Sequence, residues 1–84
     1  MPDRGEGFPR PTKTLDCIGL YCPEPVFRTR EEISMVQVGQ VLEVLADDPA
    51  SDSDIRSWAK HAGHELLSVE RRDGGFRFLI RRTT

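Results

Sequence analysis

The sequence predicts an α/β two-layer sandwich of order βαβαββ, with a four-stranded mixed sheet and two helices on one face. Three observations carry this. Ile55, Trp58, Ala59 and Ala62 recur at i, i+3, i+4, i+7, the stripe of an amphipathic helix. Val41 to Ala46 is a nearly continuous apolar run of strand length, rich enough to be central. Two strand-like runs flank Asp73-Gly74-Gly75 as a hairpin does, and in the second Phe76, Phe78 and Ile80 alternate with Arg77, Leu79 and Arg81. Eighty-four residues suffice for one small domain with a thin core.

The elements follow in order. Residues 1–13 hold five Pro or Gly and, after Met1, one large apolar side chain, Phe8. Such a segment buries too little to offset its ordering entropy. It is expected to be a flexible tail with a minor docking role at most for Phe8, and residues 14–84 the single domain. Leu15, Cys17 and Ile18 make a short first strand ended by Gly19. Helix one is expected from Pro23 to Val36, with an apolar face of Val26, Phe27, Ile33 and Val36 interrupted by Arg30, and Gly39 turns the chain into strand two. Asp47-Asp48-Pro49 ends that strand and opens helix two. Its first turn, with Ser51, Asp52, Ser53 and Asp54, supplies caps and the acidic bias that a helix N-terminus favours. Gly63 is placed to close helix two as its C′ residue. Strand three runs from His64 to Arg72 and strand four from Phe76 to Arg82. In the last strand Phe76, Phe78 and Ile80 form the buried side, and Arg77, Leu79 and Arg81 a largely solvated one.

Right-handed crossovers put both helices on one face, so both helix N-termini lie along the same sheet edge. Ligand chemistry in α/β sheets collects there. Cys22 and the Asp47-Asp48-Pro49 turn are therefore expected to be spatial neighbours. Cys22 stands before Pro23-Glu24-Pro25, and proline favours the first helical position. That makes Cys22 the expected N-cap of helix one, its sulfur at the positive end of the helix dipole. A helix N-terminus is one of the settings that activates a thiol. Cys22 reads as a reactive group on an exposed edge, whereas Cys17, inside strand one, reads as a small buried side chain. Weighing the dipole against Glu24, Asp47, Asp48 and the missing N–H groups of Pro23 and Pro25 predicts a Cys22 thiol slightly below the free value of about 8.5.

Other classes fare worse. With 12 basic and 14 acidic residues the net charge is −2, which gives no hint of nucleic acid. No apolar run reaches the length of a membrane span, and the first residues lack a secretory apolar region, so a cytoplasmic protein with reduced thiols is expected. The cysteines are spaced C-x₄-C, not as the C-x-x-C of a dithiol redox site. His61, His64 and the cysteines could supply zinc ligands on paper. The expected fold sets them a helix length apart, roughly 15–20 Å, so no metal is expected.

Leu15-Asp16-Cys17-Ile18-Gly19-Leu20-Tyr21-Cys22-Pro23-Glu24-Pro25 resembles the signature of the TusA/SirA sulfur-carrier family. Asp47-Asp48-Pro49-Ala50, Asp54-Ile55, Trp58 and Gly63-His64-Glu65-Leu66 match the rest of that pattern in order, so the resemblance spans about residues 14–82. It departs at Cys17, where a small apolar residue is expected. The resemblance implies a βαβαββ fold and a single persulfide-carrying cysteine, here Cys22, with no cofactor. It implies a sulfur-donor protein, a cysteine desulfurase or a rhodanese, and an acceptor protein with a reactive cysteine, in tRNA thiolation or sulfur metabolism. Pro23, Glu24, Pro25, Asp47 and Asp48 are the expected site-shaping residues. Arg28 and Arg30 are candidates for a partner-facing rim. A monomer without direct nucleic-acid or membrane contact is expected. The alternative is a non-catalytic module that binds RNA or a regulatory protein through the hairpin arginines Arg71, Arg72, Arg77, Arg81 and Arg82.

Overall fold

Two crossover helices, α1 (Glu24–Ile33) and α2 (Ser51–Ala62), alternate with β1 (Lys13–Cys17) and β2 (Val41–Ala46), and β3 (Glu65–Arg72) and β4 (Gly75–Arg81) close the chain. This is the fold of the computed structural model, which describes residues 10–84. The strands lie in the order β1-β2-β4-β3. β1 pairs in parallel with β2, β2 antiparallel with β4, and β4 antiparallel with β3. The four-stranded mixed sheet with two helices read from the sequence is thus the observed fold.

The pleat sorts the side chains onto two faces. Cys17 from β1, Leu42, Val44 and Ala46 from β2, and Phe78 and Ile80 from β4 join Ile33 of α1 and Ile55 of α2 in one core. Leu66, Val69 and Phe76 pack against it from the hairpin, and Trp58 from α2. The hairpin turns on Asp73 and Gly74, both at positive φ (43° and 79°), the geometry of a two-residue loop whose twist suits the flanking strands. A register shift between Leu66 and Ser68 gives β3 an extra residue opposite β4.

The opposite sheet face departs from the expected solvated surface. Leu79, at register with Glu43 and Ser68, is buried. β4 is an inner strand, and long charged side chains from both neighbours cover it with their stems. Glu43 accepts from Thr14 Oγ1 at 2.6 Å and pairs with Arg77, which also reaches Glu70 at 3.4 Å. Glu70 binds Arg72 at 2.8 Å, and Arg81 pairs with Glu65 at 3.2 Å.

Helix α1 is shorter than expected and turned differently. It ends at Ile33, and Val36 is buried from the turn that follows. Its inward residues are Pro25, Thr29 and Ile33, spaced by four. Phe27, assigned inward on its apolarity, is half exposed, with the Arg30 guanidinium 5.9 Å from its ring centre. A buried threonine is accommodated because its Oγ1 donates to the Pro25 carbonyl at 2.6 Å. At the N-terminus, β1 already includes Lys13, and the Thr12 N–H donates to Val41 O at 2.7 Å. The domain therefore begins before residue 14. Residues 1–9 of the expected tail, Phe8 among them, lie outside the described residues.

Candidate functional site

Between the end of β1 and the start of α1 the chain makes a tight loop that leaves Cys22 exposed and Cys17 buried. Leu20 N–H donates to Cys17 O at 3.1 Å, and Glu24 N–H to Tyr21 O at 2.8 Å. Gly19, at φ +87°, takes a backbone conformation that disfavours any side chain. Ile18 and Tyr21 stand on the loop with their apolar surface exposed beside Cys22.

Cys22 is not the N-cap of α1. Pro23 holds that position, without a side-chain cap, and the helix starts at Glu24 with Pro25 in its first turn. The offset is one residue, so Cys22 remains immediately before the positive helix end. The Cys22–Pro23 peptide bond is cis.

The β2–α2 loop meets the Cys22 loop, as the shared sheet edge implied, and its carboxylates bond to the backbone of that loop. Asp47 Oδ1 accepts the Gly19 N–H at 2.9 Å. Asp48 Oδ2 accepts the Cys22 N–H at 2.5 Å, and its Oδ1 accepts the Ala50 N–H at 3.3 Å. Ala50, not either aspartate, is the N-cap of α2, and no side chain caps that helix. The two aspartates fasten one loop to the other, because the backbone N–H groups of the β1–α1 loop lie across the edge from them.

A further residue completes the cluster. The Cys22 thiol donates to Asp54 Oδ2, from the first turn of α2. The sequence places Asp54 in the acidic first turn and in the family pattern, and neither assigns it a task at the sulfur. The signal was available, since the argument that brings Asp48 to Cys22 brings the first turn of α2 to the same edge.

This contact also reverses the expected acidity. The hydrogen bond to Asp54 pushes the Cys22 thiol up, and desolvation and the negative charges of Asp54 and Asp48 push it the same way. The direction is thus opposite to the expected slight lowering, and the largest cause is the direct thiol–carboxylate bond. Burial likewise pushes the Cys17 thiol up.

The remaining candidates lie apart from the sulfur. Glu24 pairs with Arg28 at 3.3 Å along α1, and Arg30 lies over Phe27. His61 Nδ1 contacts Ser57 O at 2.8 Å, and His64 stacks obliquely on Trp58 with ring centres 5.4 Å apart. Both histidines are at the far end of α2 from Asp54. Among the described residues no group of three or more His, Cys, Asp or Glu is arranged to hold a metal ion, and no helix is long and apolar enough to cross a membrane.

The hairpin arginines are largely engaged. Arg72, Arg77 and Arg81 have carboxylate partners, and Arg82 donates to the carbonyls of Ser34, Val36 and Thr84. Arg71 lies over Phe76 at 5.7 Å. Phe76 and Phe78 belong to the helix-covered side, so among the described residues the hairpin aromatics form no platform for stacking bases on the arginine face.

Comparison with known proteins agrees with the fold and the motif. The chain is 51% identical over 70 residues to an Archaeoglobus fulgidus protein whose name is that of a sulfur carrier, covering 82% of this chain and 91% of the relative. The crystal structure of a SirA-like protein from Desulfitobacterium hafniense superposes with a TM-score of 0.74 at 26% identity, covering 86% of this chain and 99% of the other. The sequence profile described as sulfurtransferase TusA matches residues 13–82, and the chain belongs to the TusA family.

Proposed function

We propose that this protein is a sulfur carrier that accepts sulfane sulfur as a persulfide on Cys22 and passes it to a cysteine of a partner protein. The observation that supports this most is the setting of Cys22. Of two cysteines it is the exposed one, before a helix N-terminus, with its backbone held by Asp48 and its thiol by Asp54.

The chemistry is thiol–persulfide exchange. Cys22 Sγ attacks the outer sulfur of a donor persulfide. A new S–S bond forms, the donor's S–S bond breaks, and the donor cysteine leaves with the electron pair. In the second step an acceptor thiolate attacks the outer sulfur on Cys22, which leaves in turn. No oxidant or reductant is consumed, and the arrangement calls for no cofactor. The gap between β1 and α1 serves this chemistry by presenting Sγ at the molecular edge, where a second protein can reach it in line. Asp47 and Asp48 shape the loop from beneath. Pro23 and Pro25 set the chain direction into α1.

The implied donors are a cysteine desulfurase or a rhodanese, and the implied acceptor a protein with a reactive cysteine. The onward route is tRNA thiolation or another branch of sulfur metabolism. The carrier would act as a cytoplasmic monomer, with Arg28 and Arg30 on the flank of α1 available to a docked partner. The test is incubation with a cysteine desulfurase and cysteine, followed by alkylation and peptide mapping. The added sulfur should lie on the peptide that carries Cys22. Sulfur found mainly on Cys17, or none on either cysteine, would overturn the assignment.

A further inference from the structure

A carrier thiol has to lose a proton each time it is loaded and regain one each time it is emptied. At Cys22 the group placed to handle that proton is a carboxylate. The thiol donates to Asp54 Oδ2, and the partners are 32 residues apart, joined only because the β1–α1 loop and the first turn of α2 share the sheet edge. The cysteine is exposed while Asp54 is half-buried, so the carboxylate supports Sγ from the protein side and leaves the outer side open. The charges facing the thiol are negative on the α2 side, those of Asp54 and Asp48. On the α1 side Glu24 is engaged with Arg28. Among the described residues no basic side chain bonds to Asp54.

We propose that Asp54 is the proton shuttle of sulfur transfer at Cys22, an inference that rests on reading Cys22 as the sulfur-bearing residue. In loading, the Cys22 S–H proton moves to Asp54 as Sγ forms its bond to the outer sulfur of the donor persulfide. The donor's S–S bond breaks, its electron pair stays on the departing sulfur, and Asp54 passes the proton to that thiolate. Emptying runs the same way: the acceptor's S–H proton moves to Asp54, the acceptor sulfur takes the outer sulfur, and Cys22 leaves and receives the proton. Sulfur travels one way and a proton the other, with no net change of charge or oxidation equivalents. The attacking and leaving sulfurs lie in line on either side of the transferred atom, about 2 Å per bond, so the carboxylate takes the proton by direct contact with Sγ and returns it to the departing sulfur through solvent at the open edge. Raising the thiol means that solvent alone exposes little thiolate near neutrality, which is the condition under which a built-in proton acceptor matters.

Asp54→Asn is the decisive variant, because the amide can still accept a hydrogen bond but cannot carry the proton. Two rates are compared with those of the wild type in a Cys17→Ala background, with thermal melting to confirm the fold. The first is alkylation of Cys22 by a neutral haloacetamide across pH. The second is sulfur uptake from glutathione persulfide at neutral pH and its return to glutathione. The expected result is a split. The alkylation inflection moves down in Asp54→Asn, so alkylation near neutrality quickens, while sulfur uptake and return slow by about 100-fold or more, the lower reach of general acid–base catalysis. Transfer that is unchanged, or that quickens together with alkylation, would overturn the shuttle and leave Asp54 a simple repulsive charge. Should Asp54→Asn fail to fold, Asp54→Glu is read on the same two axes. It should keep the raised inflection and most of the transfer, and a folded Glu variant with unchanged alkylation but lost transfer would equally overturn the proposal. Failure of the wild type to take up sulfur on Cys22 would instead overturn the carrier reading itself.

Discussion

The Asp48 carboxylate accepts the backbone N–H of Cys22 at 2.5 Å, across 26 residues of sequence. One hydrogen bond thus ties the loop after β1 to the loop after β2, and with it the position of the exposed sulfur to the central strand of the domain. The same carboxylate, through its other oxygen, reaches Ala50 at the start of α2. Asp48 is therefore the joint of three elements.

Asp48→Ala should cost stability and transfer together. A hydrogen bond to a charged group contributes about 1.5–3 kcal/mol, and partial exposure of Asp48 lowers the expected loss to about 1–2 kcal/mol. Urea unfolding measures the first effect, and sulfur loading of the still-folded variant the second. A variant with normal stability and normal loading would mean that the loop holds its shape without this bond.

Cys17 should be silent. It is fully buried in the core, at register with Ala46 on the neighbouring strand. Under native conditions a thiol reagent should modify Cys22 alone, and in denaturant both cysteines. Cys17→Ala removes one buried sulfur and should cost about 1 kcal/mol or somewhat more, with sulfur transfer retained. Native modification of Cys17 at a rate near that of Cys22, or lost transfer in a folded Cys17→Ala protein, would put Cys17 into the mechanism.

Glu43 should make part of the stability depend on acid. Burial acts to raise its carboxyl, but hydrogen bonds from Thr14 and Arg77 outweigh it and hold the group below its ordinary value. The unfolded chain then binds the proton more tightly than the folded one, so stability rises with pH through this window. The contribution is complete above the unfolded value of about 4.3 and is lost as pH falls through the lower folded value. Glu43→Gln should flatten the pH dependence of the melting temperature on the acidic side. An unchanged slope would show that the Glu43–Arg77 pair adds nothing on folding.

The parts legible in the sequence were those that a single element decides. The α2 stripe of Ile55, Trp58 and Ala59, the Asp73-Gly74 hairpin and the parallel β1–β2 pairing follow from local periodicity and turn chemistry. The meeting of Cys22 with the β2–α2 loop follows in turn from right-handed crossovers, which set both helix N-termini on one sheet edge. What escaped depends on rotation and on partners across the edge. Thr29 and Phe27 exchanged places because a threonine that bonds the Pro25 carbonyl can be buried, while a phenylalanine covered by Arg30 can face outward. Asp54 falls in the family pattern but has no expected task at the sulfur, because acidity at a helix start has a sufficient local explanation. The direction of the Cys22 shift then followed the missing residue.

The central claim is that Cys22 carries the sulfur, and intact-protein mass after loading tests it most directly. The wild type and Cys17→Ala, each incubated with a cysteine desulfurase and cysteine, should gain the mass of one sulfur atom, removable by a reducing thiol. Cys22→Ser should gain none. A Cys22→Ser protein that still takes up one labile sulfur would contradict the account.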